Sequence, residues 1–193
     1  MASSSEQLVD FLRRIHPVPD AELVRLLPLC QEVQFGRREF ITRAGEVGRH
    51  LYFVLEGIQR SYHLLDGKEH TLAFTYPPSV TGIPESVLTR QPSPHFLECI
   101  TPSRLLRVPY EAFDELLLSC PHLERLLRKL TEQVLVGVLQ RQTELLTCPM
   151  PERSRRFLLR SPHLLNAVPH KHLASYLGMD ATNFSKLLNQ MPV

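Results

Sequence analysis

The chain has 193 residues, enough for one large domain or two small ones. Its apolar fraction of 43% and charged fraction of 22% are ordinary for a folded soluble protein. The net charge of +2 by itself points to no partner.

Met1-Ala-Ser-Ser-Ser-Glu has neither a basic n-region nor an apolar run, so no signal peptide is visible. The most apolar stretch, Val134 to Leu139, is too short to span a bilayer. The expected location is the cytoplasm, with no membrane partner. Residues 5–30 read as two short helices separated by Pro17 and Pro19, with Ser5 placed to cap the first. From Val33 the texture changes. Six of the eight glycines fall between Gly36 and Gly82, and short apolar segments alternate with turn signals. Strands are expected at Glu39–Thr42, Leu51–Leu55, Gln59–Leu64, His70–Phe74, Phe96–Ile100 and Ser103–Pro109. Asp66-Gly67 marks a hairpin. Many short strands with regular turns predict a small barrel or sandwich.

Five prolines between Pro77 and Pro94 leave room for one short helix near Glu85–Thr89, either in a ligand-cradling loop or in a long surface connection. Tyr110 to Cys120 gives a short amphipathic helix. His122 to about Leu146 gives the longest helical signal, on the order of 37 Å at ~1.5 Å per residue. Leu123, Leu127, Leu130, Val134 and Val138 form its apolar seam. A stripe that wide is economically buried against a second copy of itself. The alternative is a lone helix lying on the barrel, since Gly137 and Arg141 interrupt the seam.

Cys148-Pro149-Met150-Pro151 ends the long helix as a stiff linker. Residues 150–193 carry six basic residues against two acidic ones, while the remainder carries 16 basic and 18 acidic. A basic segment on a slightly acidic body is the asymmetry of a DNA-binding end, although a solvated basic surface looks similar. Within it, His170 to Asn189 reads as two short helices broken at Gly178. Leu173, Ala174 and Leu177 are internal on the first, Phe184, Leu187 and Leu188 share a face of the second, and Asp180 is placed to cap it. This is the helix-turn-helix pattern, and an ordinary helical hairpin is its bland counterpart.

The four cysteines lie 69, 21 and 28 positions apart, too far for a zinc or iron–sulfur spacing, and His170-x-His172 points two rings to different sides of a helix. No metal site, cofactor or catalytic residue is expected, and no enzyme activity.

The order of these parts resembles the cyclic-AMP receptor protein and fumarate–nitrate regulator (Crp/Fnr) superfamily of transcription regulators. The resemblance rests on Phe35-Gly-Arg-Arg-Glu-Phe, Arg43-Ala-Gly-Glu-Val-Gly, Leu51-Tyr-Phe-Val-Leu-Glu-Gly, Asp66-Gly-Lys-Glu and Leu173-Ala-Ser-Tyr-Leu-Gly-Met. Pro-Glu-Arg at 151–153 and Val168-Pro169 look like its Bacteroidetes-type branch. It implies an α+β chain with a cyclic-nucleotide-binding-type β-roll over 1–121, a dimerisation helix and hinge over 122–148, and a helix-turn-helix domain over 149–193. It also implies double-stranded DNA and a second copy of the chain as partners, and admits RNA polymerase as a further one. Lys171, Thr182, Asn183, Ser185, Lys186, Arg153, Arg155 and Arg156 are then the candidate DNA contacts.

Two departures from the family pattern follow. Thr81-Gly82-Ile83-Pro84-Glu85 stands where a Gly-Glu-Leu segment meets the cyclic phosphate, and Pro94-His95 where the family has Arg-Ser. Gly82, Glu85, Arg90 and His95 remain as effector-pocket candidates, and no physiological cyclic-AMP binding is predicted; the effector is unknown. In the recognition helix, Ala181, Thr182 and Lys186 replace the family's stronger base readers. The chain also ends soon after that helix, so most of the usual wing is expected to be missing. A ligand-binding or protein-interaction module that no longer reads DNA is the alternative.

Overall fold

The structure, a computed structural model, describes residues 3–190. The chain divides into two compact units, one running to Ser61 and resuming over Phe74–Gln133, the other formed by Tyr62–Ala73 with the chain from Val134 onward.

The first unit opens with α1 (Ser4–Ile15). Its cap is Ser3, not the expected Ser5. The Ser3 hydroxyl accepts from the Glu6 amide, and the Glu6 carboxylate accepts from the Ser3 amide. A reciprocal pair of this kind satisfies two orphan donors at once, which an isolated hydroxyl two residues later cannot. Pro17 and Pro19 break the chain before α2 (Asp20–Leu26).

Eight strands follow: β1 (Gln31–Phe35), β2 (Phe40–Thr42), β3 (His50–Glu56), β4 (Gln59–Leu65), β5 (Lys68–Thr75), β6 (Ser79–Thr81), β7 (Phe96–Cys99) and β8 (Ser103–Pro109). They form two four-stranded sheets, ordered β1-β8-β3-β6 and β2-β7-β4-β5. β1 and β6 were not expected from sequence. β1 alternates weakly in polarity, and β6 is three residues long in a proline-rich stretch. β3 reads as a continuous apolar run because both its faces are covered. Phe53 and Leu55 join Leu106 in a core with Leu8, Leu12, Leu23, Leu26, Phe113, Leu116 and Leu123. Tyr52 and Val54 join Leu105 on the opposite face. Gly57, at the turn after β3, has a φ of +89°, and a Cβ there would lie 2.5 Å from the Pro102 carbonyl oxygen. Only glycine fits this approach.

The face that carries Tyr52 and Leu105 is partly polar. Thr81 is paired with Tyr52 across β3 and β6, and Ser103 lies two residues from Leu105 on β8, so both share that face. Gln59 donates to Ser103 Oγ at 2.9 Å, and Thr75 Oγ1 lies 3.1 Å from Gln59 Oε1 and 3.0 Å from Thr81 Oγ1. On the neighbouring position of β4, Arg60 is fully enclosed, and its guanidinium donates to Glu98 on β7 at 2.8 Å.

Three helices follow in chain order: α3 (Pro84–Thr89), in the connection from β6 to β7, α4 (Tyr110–Leu117) after β8, and the 27-residue α5 (Pro121–Thr147). The start of α5 is held by a buried carboxylate, since Glu22 accepts from the amides of Leu123 at 2.9 Å and His122 at 3.3 Å. Helix N-termini carry unsatisfied donors and a partial positive charge, and both favour an acid there.

The second unit contains the tip of the β4–β5 hairpin, the later part of α5, α6 (Met150–Arg160), the short α7 (Leu164–Ala167), α8 (His170–Tyr176) and α9 (Ala181–Gln190). Asp66 and Gly67 at the hairpin turn both have positive φ, 50° and 73°. Among the buried apolar side chains of this unit are Phe157, Leu164, Val168, Leu173, Ala174, Leu177 and Phe184. No helix among the described residues is long and apolar enough to cross a membrane.

Breaking a buried ion pair costs more than forming it gains, because one charge is left uncompensated. Glu98→Ala is therefore expected to lower the stability of the first unit by about 3 kcal/mol, whereas replacing both Arg60 and Glu98 with apolar residues of similar size costs less. Urea unfolding of the three proteins checks this.

Candidate nucleic-acid interface and effector site

α8 and α9 meet at a tight turn. Gly178 adopts a φ of +69°, and an added Cβ would come within 3.3 Å of Arg153 Nη1 and 3.4 Å of Leu145 Cδ2. Asp180 caps α9: its Oδ1 accepts from the Asn183 amide at 2.7 Å, and its Oδ2 accepts from the Asn183 side chain at 2.6 Å. Capping thus occupies both Asp180 and the Asn183 side chain. Leu173, Ala174, Leu177 and Phe184 are all but inaccessible, and His170 packs edge-on against the Phe184 ring at 5.6 Å. Ala181, Thr182, Ser185, Lys186 and Asn189 face solvent, as does Lys171 on α8.

The arginines of α6 each have partners within the unit. Arg155 donates to Glu152 through two bonds of 3.0 Å, and Arg156 donates to the same carboxylate at 2.7 Å. Arg153 turns inward. Its guanidinium donates to the Leu145 carbonyl at 3.4 Å and is half-buried, so this member of the expected DNA-contact set is a brace within the unit. Arg160 makes a two-bond pair with the buried carboxylate of Glu144, at 2.6 and 2.9 Å, and holds that acid below the usual carboxylate range. Arg141 lies over the Tyr176 ring at 3.7 Å and is partly desolvated, which lowers its pKa. Sequence reading missed the roles of Glu144, Arg141 and Ser175. A glutamate followed twelve and sixteen positions later by arginines carries no local periodic signal.

Along α5 the expected seam splits. Leu123 is fully buried in the core of its own unit, and Leu127 and Leu130 pack partly against it. Leu123 therefore has no surface to offer a partner, which corrects the expected interface at its N-terminal end. The exposed aliphatic run begins later: Val134, Leu135, Val136, Val138 and Leu139 are each 51–57% exposed.

The expected effector pocket centres on α3. The amides of Ser86 and Val87 both donate to the Ile83 carbonyl, and Pro84 has none to give. Ser86 Oγ accepts from the Gly48 amide at 2.7 Å and donates to the Gln91 carbonyl at 2.6 Å, tying the helix to its flanking loop. Glu85 lies 3.5 Å from His95, and exposed Arg90 lies 4.0 Å from Glu111 and 3.9 Å from Asp114. Gly82 follows β6 directly. Pro84 thus leaves this helix start one donor short, and Arg90 faces the carboxylates of Glu111 and Asp114.

A β-roll of this topology followed by a long helix is the architecture of the cyclic-nucleotide-binding type. Residues 32–120 match the model of the cyclic nucleotide-binding domain. The fumarate and nitrate reduction regulatory protein of Vibrio cholerae is 25% identical over 181 residues, covering 88% of this chain and 71% of that one. Among solved structures, FixK2 from Bradyrhizobium japonicum superposes with a TM-score of 0.73 at 22% identity, covering 83% of both chains. The c-di-GMP responsive global regulator CLP of Xanthomonas campestris gives 0.67 at 18% identity over 89% of this chain and 91% of that one, and the catabolite activator protein of Thermus thermophilus gives 0.58 at 23% over 91% and 84%. Residues 32–120 thus resemble a cyclic nucleotide-binding domain, and over most of its length the chain is similar to these regulators.

Hydrogen bonds from Arg155 and Arg156 hold the Glu152 carboxyl at about 2, down from an ordinary 4.5. A depressed folded pKa means stabilisation that is complete above pH 4.5 and disappears as pH falls toward 2. The difference in thermal stability between the protein and Glu152→Gln should accordingly be largest near neutrality and close as pH drops through that window.

Proposed function

We propose that the protein is a homodimeric, DNA-binding transcription regulator that does not respond to cyclic AMP. The observation that carries this is the α8–α9 pair. Its internal residues are fully packed, its turn is built on Gly178, and Thr182, Ser185 and Lys186 are presented to solvent from a capped helix. That is the arrangement a major-groove reader needs. Two copies joined along the exposed aliphatic run of α5 would set two such helices about 34 Å apart, one turn of duplex.

Lys186 is the one cation on the exposed face of α9 among the described residues, and Lys171 lies on the helix that would cross the phosphate backbone. Arg155 and Arg156 are shared with Glu152, whose negative charge offsets part of what they would offer a phosphate. This internal pairing supports the second reading, an interaction module whose helices no longer bind DNA. The roll in either case would serve as scaffold, or as sensor of something other than a cyclic phosphate. The reduced wing expected from sequence concerns chain beyond Gln190, outside the described residues.

The two readings separate in a mobility-shift assay with duplex DNA at low salt. The DNA reader is retained, loses affinity steeply as salt rises, and loses roughly tenfold on Lys186→Ala. Added cyclic AMP leaves the shift unchanged. No retention at micromolar protein supports the interaction module instead.

A further inference from the structure

The strand order leaves β5 at the edge of its sheet, with a row of backbone groups unpaired by any neighbouring strand. Glu69 and Thr71 are two residues apart, so their backbone groups point to the same side of the strand. One side chain occupies both. The Thr71 amide donates to Ser175 Oγ at 2.9 Å, and that hydroxyl donates to the Glu69 carbonyl at 3.0 Å. Ser175 lies on α8 and stands in for a strand partner. His172, one turn earlier on α8, has its Nδ1 3.8 Å from the Glu69 carboxylate. Thr71 is buried while Lys68, Glu69, His70, Leu72 and Ala73 around it are exposed, which marks a local docking point on an otherwise solvated strand.

We propose that this hairpin tip is an autoinhibitory clamp on α8. The inference rests on the DNA-reading function above. Lys171 and Ser175 are four residues apart and share a helical face, so the tip docks on the side of α8 that carries the phosphate-contacting lysine. In helix-turn-helix docking this first helix crosses the phosphate backbone. The tip brings Asp66 and Glu69 against one lysine, Lys68, so its net charge is negative. A hairpin of that charge on that face opposes a phosphate backbone by occupancy and by repulsion. DNA binding requires the Ser175 hydroxyl to let go of the strand edge. Four residues further along β5, Thr75 belongs to the polar network of the roll with Gln59 and Thr81, so the strand that carries the clamp is the one an occupant of the roll would displace.

The test compares the full-length protein with Ser175→Ala, which removes both bonds, and Ser175→Thr, which retains the hydroxyl. Binding to random-sequence duplex DNA at low salt is read alongside amide exchange at Thr71. Ser175→Ala should bind about tenfold tighter, the scale of the net contribution of one or two hydrogen bonds, and should exchange the Thr71 amide faster without DNA. Ser175→Thr should behave as wild type, and DNA should deprotect Thr71 in the wild-type protein. Equal or weaker binding by Ser175→Ala, with the wild type retained on DNA, overturns the clamp and leaves the DNA-reading function standing. Retention of none of the three proteins removes that function, and the clamp with it.

Discussion

The long helix α5 depends on how its first turn is fixed. Glu22 puts a buried carboxylate on the amides of His122 and Leu123, and Leu123 and Leu126 enter the core shared by α1, α2, α4 and one face of β3 and β8. A 27-residue helix is about 40 Å long at ~1.5 Å per residue, so anchoring one end leaves the far part to find other partners. Some of those partners are internal: Glu144 with Arg160, Arg141 with Tyr176, Leu145 with Arg153. Between the anchor and these contacts lies a run, residues 131–140, in which every residue is exposed. Five large aliphatic side chains in that position are unfavourable in water unless another surface covers them.

The polar side chains inside the β-roll bond largely to one another. Gln59, Thr75, Thr81 and Ser103 bond to one another within it, Arg60 is committed to Glu98, and the α3 start has lost an amide to Pro84. Pairing of this kind lowers the cost of enclosing polar groups in the roll. The likeness to cyclic nucleotide-binding domains therefore describes the architecture of this domain and not its ligand.

Much of the fold was legible because it rests on local chemistry. Asp66-Gly67 announced its hairpin, the proline pairs announced the breaks, and the α8–α9 pattern of Leu173, Ala174, Leu177 and Phe184 matches buried side chains, with positive-φ Gly178 at the turn. The candidate surfaces were less legible, since they depend on pairings distant in sequence. Glu152 stands three and four residues before Arg155 and Arg156, a pairing that helical spacing does offer, but nothing local tells that Leu123 faces inward while Val134 faces out. Ser175 looks like an ordinary polar helix residue until the strand edge more than a hundred positions earlier is seen against it.

The central claim is that the exposed part of α5 is the surface that makes two chains into one reader. Sedimentation equilibrium of the protein beside Val138→Glu tests it most directly. A dimer that becomes a folded monomer on this substitution is the predicted result, because a carboxylate placed in an apolar seam is not tolerated. A wild-type protein that sediments as a monomer at all accessible concentrations, or a Val138→Glu protein that remains a dimer, would contradict it.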